Sequence, residues 1–254
     1  MLVDTHTHIY LPDLSSSIDE IILRANENGI QQFFLPNIDE ESIDAVFALA
    51  TKYPTQCYPM MGLHPCSVDA NYKQKFAVIK QAALSNKIYA IGEIGMDLYW
   101  DKTFEQQQKL IFVEQIKLAK SMSLPIVIHC RKAFDKTLAI LKSEQSTDLR
   151  GIFHCFSGTL AQAKKIIEMG FYLGIGGVLT YKNAGLAEVV KEIDLAHLVL
   201  ETDSPYLSPV PFRGKPNESS YMIHVAEKLA EIKSCTLAEI AAQTTANSKN
   251  IFGI

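Results

Sequence analysis

The 254-residue chain lacks several features that would place it in a familiar class of protein. No apolar run approaches the roughly 18 residues of a transmembrane helix, and no basic segment followed by an apolar one opens the chain, so we expect neither membrane insertion nor a secretory signal. The formal net charge is −4, which excludes a broad basic surface. A phosphate-rich ligand would therefore need local positive charge or bound metal.

Cysteine is scarce and unpaired in its spacing. The five cysteines are odd in number and form no C-x-x-C pair, which predicts free thiols in a reducing compartment, used for packing. Hydrophobic residues make up 48% and charged residues 20%, which excludes a mainly disordered chain. We expect a cytoplasmic globular protein with no membrane association, and nothing in the sequence indicates an obligate protein partner.

What the chain does have is a repeated rhythm of short apolar runs and amphipathic helical patterns, which is typical of βα units. The first helical pattern covers residues 17–29, with Ser17 as its expected N-cap, Glu20 completing a capping box and Gly29 ending it. The eight strand candidates are residues 2–6, 31–37, 57–65, 88–95, 124–130, 150–156, 171–177 and 197–203. Eight such units in this length favour an α/β fold of the (β/α)8 TIM-barrel type over a doubly wound sheet, with residues 1–254 as a single domain.

Ionisable residues follow or end most of these strand candidates. In the opening VDTHTH, a strand would direct His6 and His8 to the same side, although an isolated pair of this kind also suits a solvated edge strand. In a parallel barrel all carboxyl ends of the strands meet on one face. The residues expected to converge there are His6, His8, His64, Glu93, His129, His154 and Asp203.

This combination of imidazoles and carboxylates predicts a centre for divalent metal ions. Such ligands suit Zn²⁺, Mn²⁺, Fe²⁺ or Ni²⁺, and also Mg²⁺ if fewer histidines take part, and they are enough for two ions. Glu93 is the candidate bridge between the two ions, and Asp203 is the candidate general base that accepts a proton from the attacking water.

Longer motifs connect these residues to a known family. They are VDTHTH at 3–8, GLHP at 62–65, IGEIGMD at 91–97, IHCRKA at 128–133, FHCFSG at 153–158 and ETDSPYLSPVPFRGKPNE at 201–218. With these motifs the chain resembles the TatD-like metal-dependent deoxyribonucleases, a branch of the amidohydrolase-type barrels, over essentially its full length. Two positions depart from that pattern, since Leu98 stands where tyrosine is frequent and Ser219 where proline is usual.

The resemblance implies a TIM barrel with two divalent metals and hydrolysis of phosphodiester bonds in DNA. It implies that His6, His8 and Asp203 hold one metal, that His129 and His154 hold the other, and that Glu93 is shared. Many related barrels bridge their metals with a carboxylated lysine, but a glutamate occupies the corresponding strand here. A groove at the strand ends admits an intact duplex poorly, so we expect a 3′–5′ exonuclease that prefers single-stranded DNA ends.

Further polar residues near these strand ends are candidates for substrate contacts. Arg131 should reach a phosphate oxygen, and His64 should contact a phosphate or orient another group rather than bind metal. Tyr206 and Arg213 lie on a proline-rich loop where a base could stack or a phosphate dock, although the loop could simply be rigid. Glu201 could orient a ligand histidine or form a structural ion pair. His197 and His224 are predicted to be structural.

Two other functions remain compatible with the residues alone. An activated water attacks a carbonyl as readily as a phosphorus atom, so a metal-dependent amide or ester hydrolase of the amidohydrolase type is one alternative. The other is a scaffold that binds metal without catalysis. Arg131 and the Arg213 loop argue against the first, and the open coordination expected for a water argues against the second.

Overall fold

Eight parallel strands alternate with helices in the computed structural model, which describes residues 1–15 and 17–254. The strands are β1 (Leu2–Asp4), β2 (Ile30–Pro36), β3 (Cys57–Met60), β4 (Ile91–Asp97), β5 (Ile126–Arg131), β6 (Gly151–Phe153), β7 (Phe171–Ile175) and β8 (Leu198–Leu200). The α-helices are α1 (Pro12–Ser15), α2 (Ile18–Glu27), α3 (Ile43–Lys52), α4 (Tyr72–Ser85), α5 (Glu105–Met122), α6 (Phe134–Ser143), α7 (Leu160–Glu168), α8 (Leu186–Lys191), α9 (Met222–Lys233) and α10 (Leu237–Phe252). Every predicted strand is present.

The strands pair in chain order and close into a barrel. β1, β2 and β3 form one continuous ladder, and β4 to β8 form another. A parallel bridge between Met61 and Ile91 joins β3 to β4. On the other side, the amide of Thr5 donates to the carbonyl of Leu200 at 3.0 Å and joins β8 to β1. The predicted (β/α)8 barrel is confirmed.

Two apolar layers hold the barrel together. The inner layer takes one or two side chains from each strand or from the residue just before it: Val3, Phe34, Tyr58, Met60, Ala90, Val127, Ile152, Tyr172 and Val199. Phe252, at the end of α10, closes this layer by stacking on Phe34 with ring centroids 3.7 Å apart. The alternate strand residues, such as Phe33 and Ile128, belong to the larger layer between the strands and the surrounding helices. The inner layer occupies the amino half of the barrel and leaves its carboxyl end to polar residues.

Details near the start of the chain differ from the prediction. Ser17 is the N-cap of α2, but its hydroxyl donates to the carbonyl of Leu14 at 3.3 Å instead of capping the helix, so the predicted capping box is wrong. The short helix α1 brings Leu14 within reach. Gly29 follows the end of α2 with a φ of 79°, as expected for a helix stop.

All five cysteines are free thiols. Cys57 is buried, which fits a packing role, whereas Cys66 is exposed and cannot serve one. Among the helices that the structure describes, none is long and apolar enough to cross a membrane.

Candidate metal centre

The carboxylate of Glu93 lies at the centre of the converging residues. It projects from β4 into the carboxyl end of the barrel and is only 2% exposed. Its Oε2 atom lies 3.1 Å from Nε2 of His6 and 3.7 Å from Nε2 of His8. Its Oε1 atom lies 2.8 Å from Nδ1 of His129 and 3.7 Å from Nε2 of His154. The two oxygens of one carboxylate therefore face two different groups of histidines.

Asp203 completes the group around His6 and His8. Its Oδ1 atom lies 3.5 Å from Nε2 of His8, 3.8 Å from Nε2 of His6 and 3.7 Å from Nε2 of His154. Ligand atoms of His6, His8 and Asp203 all lie within 4.8 Å of one another, which is compatible with a single ion. Asp203 has a left-handed φ of 56°, and its amide donates to the carbonyl of His6 at 2.9 Å.

The route by which His6 and His8 meet is different from the one predicted. β1 ends at Asp4, so neither histidine lies in a strand, and the side-by-side strand geometry is wrong. Their Nε2 atoms nevertheless lie 3.2 Å apart. The chain reaches this arrangement through hydrogen bonds to β8 and the loop after it, beginning with the amides of Thr5 and Asp203.

A buried aspartate at the end of β1, Asp4, connects the first strand to the chain that follows the last one, β8. Asp4 accepts hydrogen bonds from the amide and hydroxyl of Thr202, at 3.0 and 2.7 Å, and from the hydroxyl of Ser219 at 2.7 Å. Burial raises the pKa of Asp4 to about 7 despite these bonds. Ser219, which departs from the family pattern, thus takes part in the network that positions His6 and Asp203. Proline there would lack the hydroxyl.

The hydrogen-bonding state of His8 indicates a cation ligand. The hydroxyl of Tyr10 donates to the carbonyl of Pro36 at 2.5 Å, so its oxygen accepts from Nδ1–H of His8 at 2.9 Å. In the neutral ring, Nε2 of His8 then carries a lone pair that faces Nε2 of His6 and the carboxylates of Glu93 and Asp203. Two nitrogens and two carboxylates facing one point form a donor set that fits a divalent cation.

The imidazole of His6 belongs to the same arrangement. Burial, with a smaller contribution from His154, lowers the pKa of His6 to about 4, so the ring is neutral near pH 7. Within the part of the chain that the structure describes, its Nδ1 atom is buried without a hydrogen-bond partner. A neutral imidazole held this way is a competent ligand.

Asp97 orients His129 from the side opposite Glu93. Nε2 of His129 lies 2.8 Å from Oδ2 of Asp97, while Nδ1 faces Glu93. Gly95 makes the approach of β4 and β5 possible, because a Cβ atom there would lie 2.1 Å from the carbonyl oxygen of His129. Burial lowers the pKa of His129, but the bonds to Asp97 and Glu93 outweigh it and raise that pKa to about 9.

Glu201 has the equivalent position beside His154. Its Oε1 atom lies 3.0 Å from Nδ1 of His154, and it also accepts from the amide of Cys155 at 2.5 Å. Gly174 leaves the space for this carboxylate, since a Cβ atom there would lie 2.2 Å from Glu201 Oε2. Burial lowers the pKa of His154, but Glu201, Glu93 and Asp203 raise it to about 10. This contact is compatible with both predicted roles of Glu201, as an orienting group and as a partner in an ion pair.

His64 also lies beside the carboxylate of Glu93, but its hydrogen bonds differ from those of His129 and His154. Its Nδ1 atom accepts from the amide of Cys66 at 3.0 Å, so in the neutral ring Nε2 carries the proton. That Nε2 lies 3.4 Å from Oε1 of Glu93 and 3.3 Å from Nδ1 of His129. His64 is therefore a hydrogen-bond donor aimed into the centre, although its ligand atoms are close enough to Glu93 and His129 to count as a possible third group.

A cavity of about 640 Å³ opens over these residues and is called the site cavity below. Arg131, Tyr206 and Trp100 contribute to its wall, together with His64 and the carboxylates Glu93, Asp97 and Asp203. Arg213 is not among the described residues that line it, and its guanidinium instead packs 3.8 Å from the ring centroid of Tyr181. The structure therefore brings three of the four predicted substrate contacts to the cavity.

Sequence reasoning missed three residues of the centre. Tyr10 orients His8, Asp97 orients His129 and Trp100 forms part of the cavity wall. Asp97 had a usable signal, because it stands four residues after Glu93 in the same strand, and an even spacing favours the same side. Tyr10 had none, since its role depends on a carbonyl in β2.

Comparison with known sequences identifies the family. The profile of a family described as TatD related DNase matches residues 3–253. The chain belongs to this family. A metal-dependent hydrolase of Bacillus subtilis, YabD, is 41% identical over 255 residues, with all of both chains covered. A TatD protein of Erwinia tasmaniensis, named as a 3′-5′ ssDNA/RNA exonuclease, is 30% identical over 242 residues and 93% of each chain.

Solved structures of the TatD family agree with the fold. The crystal structure of YjjV, a TatD homologue from Escherichia coli, superposes with a TM-score of 0.94 at 32% identity, covering 100% of this chain and 98% of that one. A TatD family hydrolase from Entamoeba histolytica gives a TM-score of 0.85 at 22% identity, which bears on the fold alone. With its relatives and its converging ligand groups, this chain is a metal-dependent hydrolase.

Proposed function

We propose that this protein is a 3′–5′ exonuclease that hydrolyses phosphodiester bonds at single-stranded DNA ends and uses two divalent cations. The observation that carries the proposal is the division of the histidines between the two oxygens of Glu93. A carboxylate that bridges two ions has this arrangement. The name of the Erwinia relative supports the same substrate class.

Each proposed cation has its own residues. His6, His8 and Asp203 with Oε2 of Glu93 would hold one. His129 and His154, which both face Oε1 of Glu93, would hold the other. The donor set suits Zn²⁺, Mn²⁺ or Ni²⁺, and Mg²⁺ with fewer imidazoles engaged. When bound, such ions lower the pKa of a water and neutralise phosphate charge.

Asp203 is proposed to accept the proton of the attacking water. Burial raises its pKa, but His154, His8 and His6 outweigh burial and hold the pKa below its usual value, so the group is a carboxylate at neutral pH. Its side chain is 16% exposed, more than that of Glu93, and can reach solvent and substrate. His64, with its proton on Nε2, would donate to a phosphate oxygen.

The dimensions and charge of the site cavity support a single strand as substrate. A volume of about 640 Å³ lies within the range of small-ligand pockets. Such a cavity takes the end of one strand and is too small to enclose a duplex, whose major groove alone is about 12 Å wide. Arg131 supplies local positive charge on a protein of net charge −4, and Tyr206 offers a ring at the same wall. Binding should therefore be modest, dependent on metal and weakened by salt.

The deciding experiment compares substrates on metal-reconstituted protein. We expect release of 5′-mononucleotides from single-stranded DNA, slower release from a blunt duplex, turnover of a p-nitrophenyl phosphodiester, and none of a panel of amides and esters. Turnover of acyl substrates alone would contradict the proposal. In parallel, Asp203→Asn should lower kcat by about 10²-fold or more, since it removes the basic oxygen.

That variant suits the position for a structural reason. Asparagine tolerates the left-handed φ of 56° found at residue 203 and keeps one coordinating oxygen, so metal content should fall less than activity. Measuring bound metal in the same sample separates loss of the base from loss of the ion. Full activity in Asp203→Asn would overturn its role as general base.

A further inference from the structure

A second and larger cavity lies beside the site cavity. Its volume is about 1020 Å³, and it is formed by the segments that follow β4, β5 and β6 and by one face of α7. We call it the outer cavity. The two cavities share a wall made by Cys130, Arg131, His154, Cys155 and Ser157. A ligand that extends from the metal centre past Arg131 would enter the outer cavity.

The outer cavity has more lysine and arginine than acidic side chains in its described lining. The cationic ones are Lys102, Arg131, Lys132 and Lys136, and the carboxylates are Glu105 and Asp135. Glu105 pairs with Lys136 at 2.6 Å, so one carboxylate and one cationic side chain neutralise each other. Lys102 and Lys132 are exposed at this cavity, and neither has an ionic partner within 4.0 Å among the residues that the structure describes.

Arg131 is held in a defined position between the two cavities. Its guanidinium carbon lies 3.9 Å from the ring centroid of Tyr99 and 5.2 Å from that of Trp100. The two rings meet edge to face at 4.9 Å, and Asp97 accepts the amides of both residues, at 2.8 and 3.2 Å. The same aspartate that orients His129 therefore also positions the rings under Arg131.

We propose that the outer cavity is a second nucleotide subsite, which binds the phosphodiester next to the one that is cleaved. Lys102 and Lys132 contact that neighbouring phosphate, and Arg131 lies between the two phosphates. This inference rests on the proposed nuclease function. Its consequence is selectivity by length: a chain with at least two phosphodiesters fills both cavities, whereas an ester with one phosphate fills only the site cavity.

The test compares two substrates and two double variants. The substrates are a single-stranded oligonucleotide and the p-nitrophenyl ester of thymidine 5′-phosphate, which has a single phosphate. The variants are Lys102→Ser/Lys132→Ser and, as the matched control, Lys164→Ser/Lys165→Ser, which removes two exposed charges from α7 outside both cavities. Both double variants change the net charge equally.

We expect selectivity, the ratio of kcat/KM for the oligonucleotide to that for the ester, to fall about tenfold at low salt in Lys102→Ser/Lys132→Ser. The slope of log(kcat/KM) against log salt for the oligonucleotide should shrink by about 0.7, because the contact to one phosphate is lost. The control variant should keep both quantities. An unchanged ratio, or an equal change in the control, would overturn the subsite.

A binding measurement separates this inference from the nuclease proposal. Trp100 is the only tryptophan, is 70% exposed and lines the site cavity, so its fluorescence reports occupancy without turnover. In metal-loaded Asp203→Asn, which should not turn the substrate over, a trinucleotide should bind about tenfold more tightly than thymidine 5′-phosphate, and adding Lys102→Ser/Lys132→Ser should remove that advantage. If neither substrate is cleaved but this pattern holds, the nuclease proposal fails and the subsite stands. If the trinucleotide has no advantage, the subsite is wrong.

Discussion

At the amino half of the barrel, Phe252 stacks on Phe34 and the rings of Phe34 and Tyr58 stack at 4.9 Å, all within an apolar layer. At the carboxyl end, Glu93 and His6 are also buried, but they meet each other and Asp203 through ionisable groups. Burying such groups costs free energy that their pairing offsets only in part, so this end contributes less to stability than the apolar layer does. The comparison indicates that the apolar end stabilises the barrel and the polar end serves chemistry.

Among substitutions at the polar end, Glu93→Ala should have the largest effect on activity. Loss of the shared carboxylate should lower kcat/KM on the order of 10⁴-fold or more, because both proposed cations lose a ligand. His64→Ala should cost only about 10- to 10²-fold, since His64 donates a hydrogen bond and is not proposed as a ligand. Both activity and bound metal are to be measured. Equal losses with unchanged metal in both variants would contradict the bridging role.

Disrupting the apolar layer should lower stability and leave metal binding and activity intact. Phe252→Ala removes the ring that closes the inner layer and should lower the free energy of unfolding by about 3–5 kcal/mol. Metal content and kcat per folded molecule should be retained. Chemical denaturation, with activity measured below the transition, is the check.

A matched control lies on the same helix. Leu237 is an exposed residue at the start of α10, so Leu237→Ala should change stability by no more than about 0.5 kcal/mol. Comparable destabilisation by the two variants would mean that Phe252 contributes no more to the free energy of unfolding than an exposed residue does.

A smaller effect is expected for the carboxylate that orients His129. Asp97→Asn should weaken metal binding or activity by about 10- to 10²-fold, because the amide holds the imidazole less firmly and makes it less basic. The control is Asp101→Asn, in the loop after β4, whose exposed carboxylate accepts hydrogen bonds from Thr103 and from the amide of Lys102 and from no histidine of the centre in the described structure. Metal titration of both variants distinguishes them, and equal affinities would argue against the orienting role.

The binding of metal at the polar end should also depend on pH. The pKa values of His129, about 9, and His154, about 10, are raised, so both rings are positively charged near pH 7 when no cation competes. A cation needs the neutral rings, so binding should release protons and tighten by about tenfold per pH unit for each proton released between pH 6 and 8. Calorimetric titration in buffers of different ionisation enthalpy counts the protons. Affinity independent of pH would contradict this expectation.

The fold could be predicted from the sequence because its signal is local. Each strand is a short apolar run such as that around Ile126–Arg131, and each is followed by an amphipathic helix, so the order of elements is visible without tertiary contacts. The capping box at Ser17 failed for the reverse reason: the hydroxyl is used by the carbonyl of Leu14, which a turn brings near. A competing local partner cannot be read from residue types.

The candidate site, like the fold, could be predicted from the sequence only in part. The residue types of His6, His129 and Asp203, with their positions after apolar runs, are enough to predict that a barrel collects them on one face. The sequence does not indicate that the two oxygens of Glu93 separate the histidines, or that Tyr10 and Asp97 set which imidazole nitrogen faces the centre. Those features depend on distances between side chains on different strands.

By itself, then, the amino-acid order determined the (β/α)8 topology and the set of ionisable residues at its carboxyl end, because periodicity and strand position are properties of neighbouring residues. Only the tertiary structure decided that Arg213 packs on Tyr181 away from the site cavity, that Arg131 separates two cavities, and that Lys102 and Lys132 face the outer one. These are outcomes of how separate loops pack against one another, and packing between distant segments has no signature in any one of them.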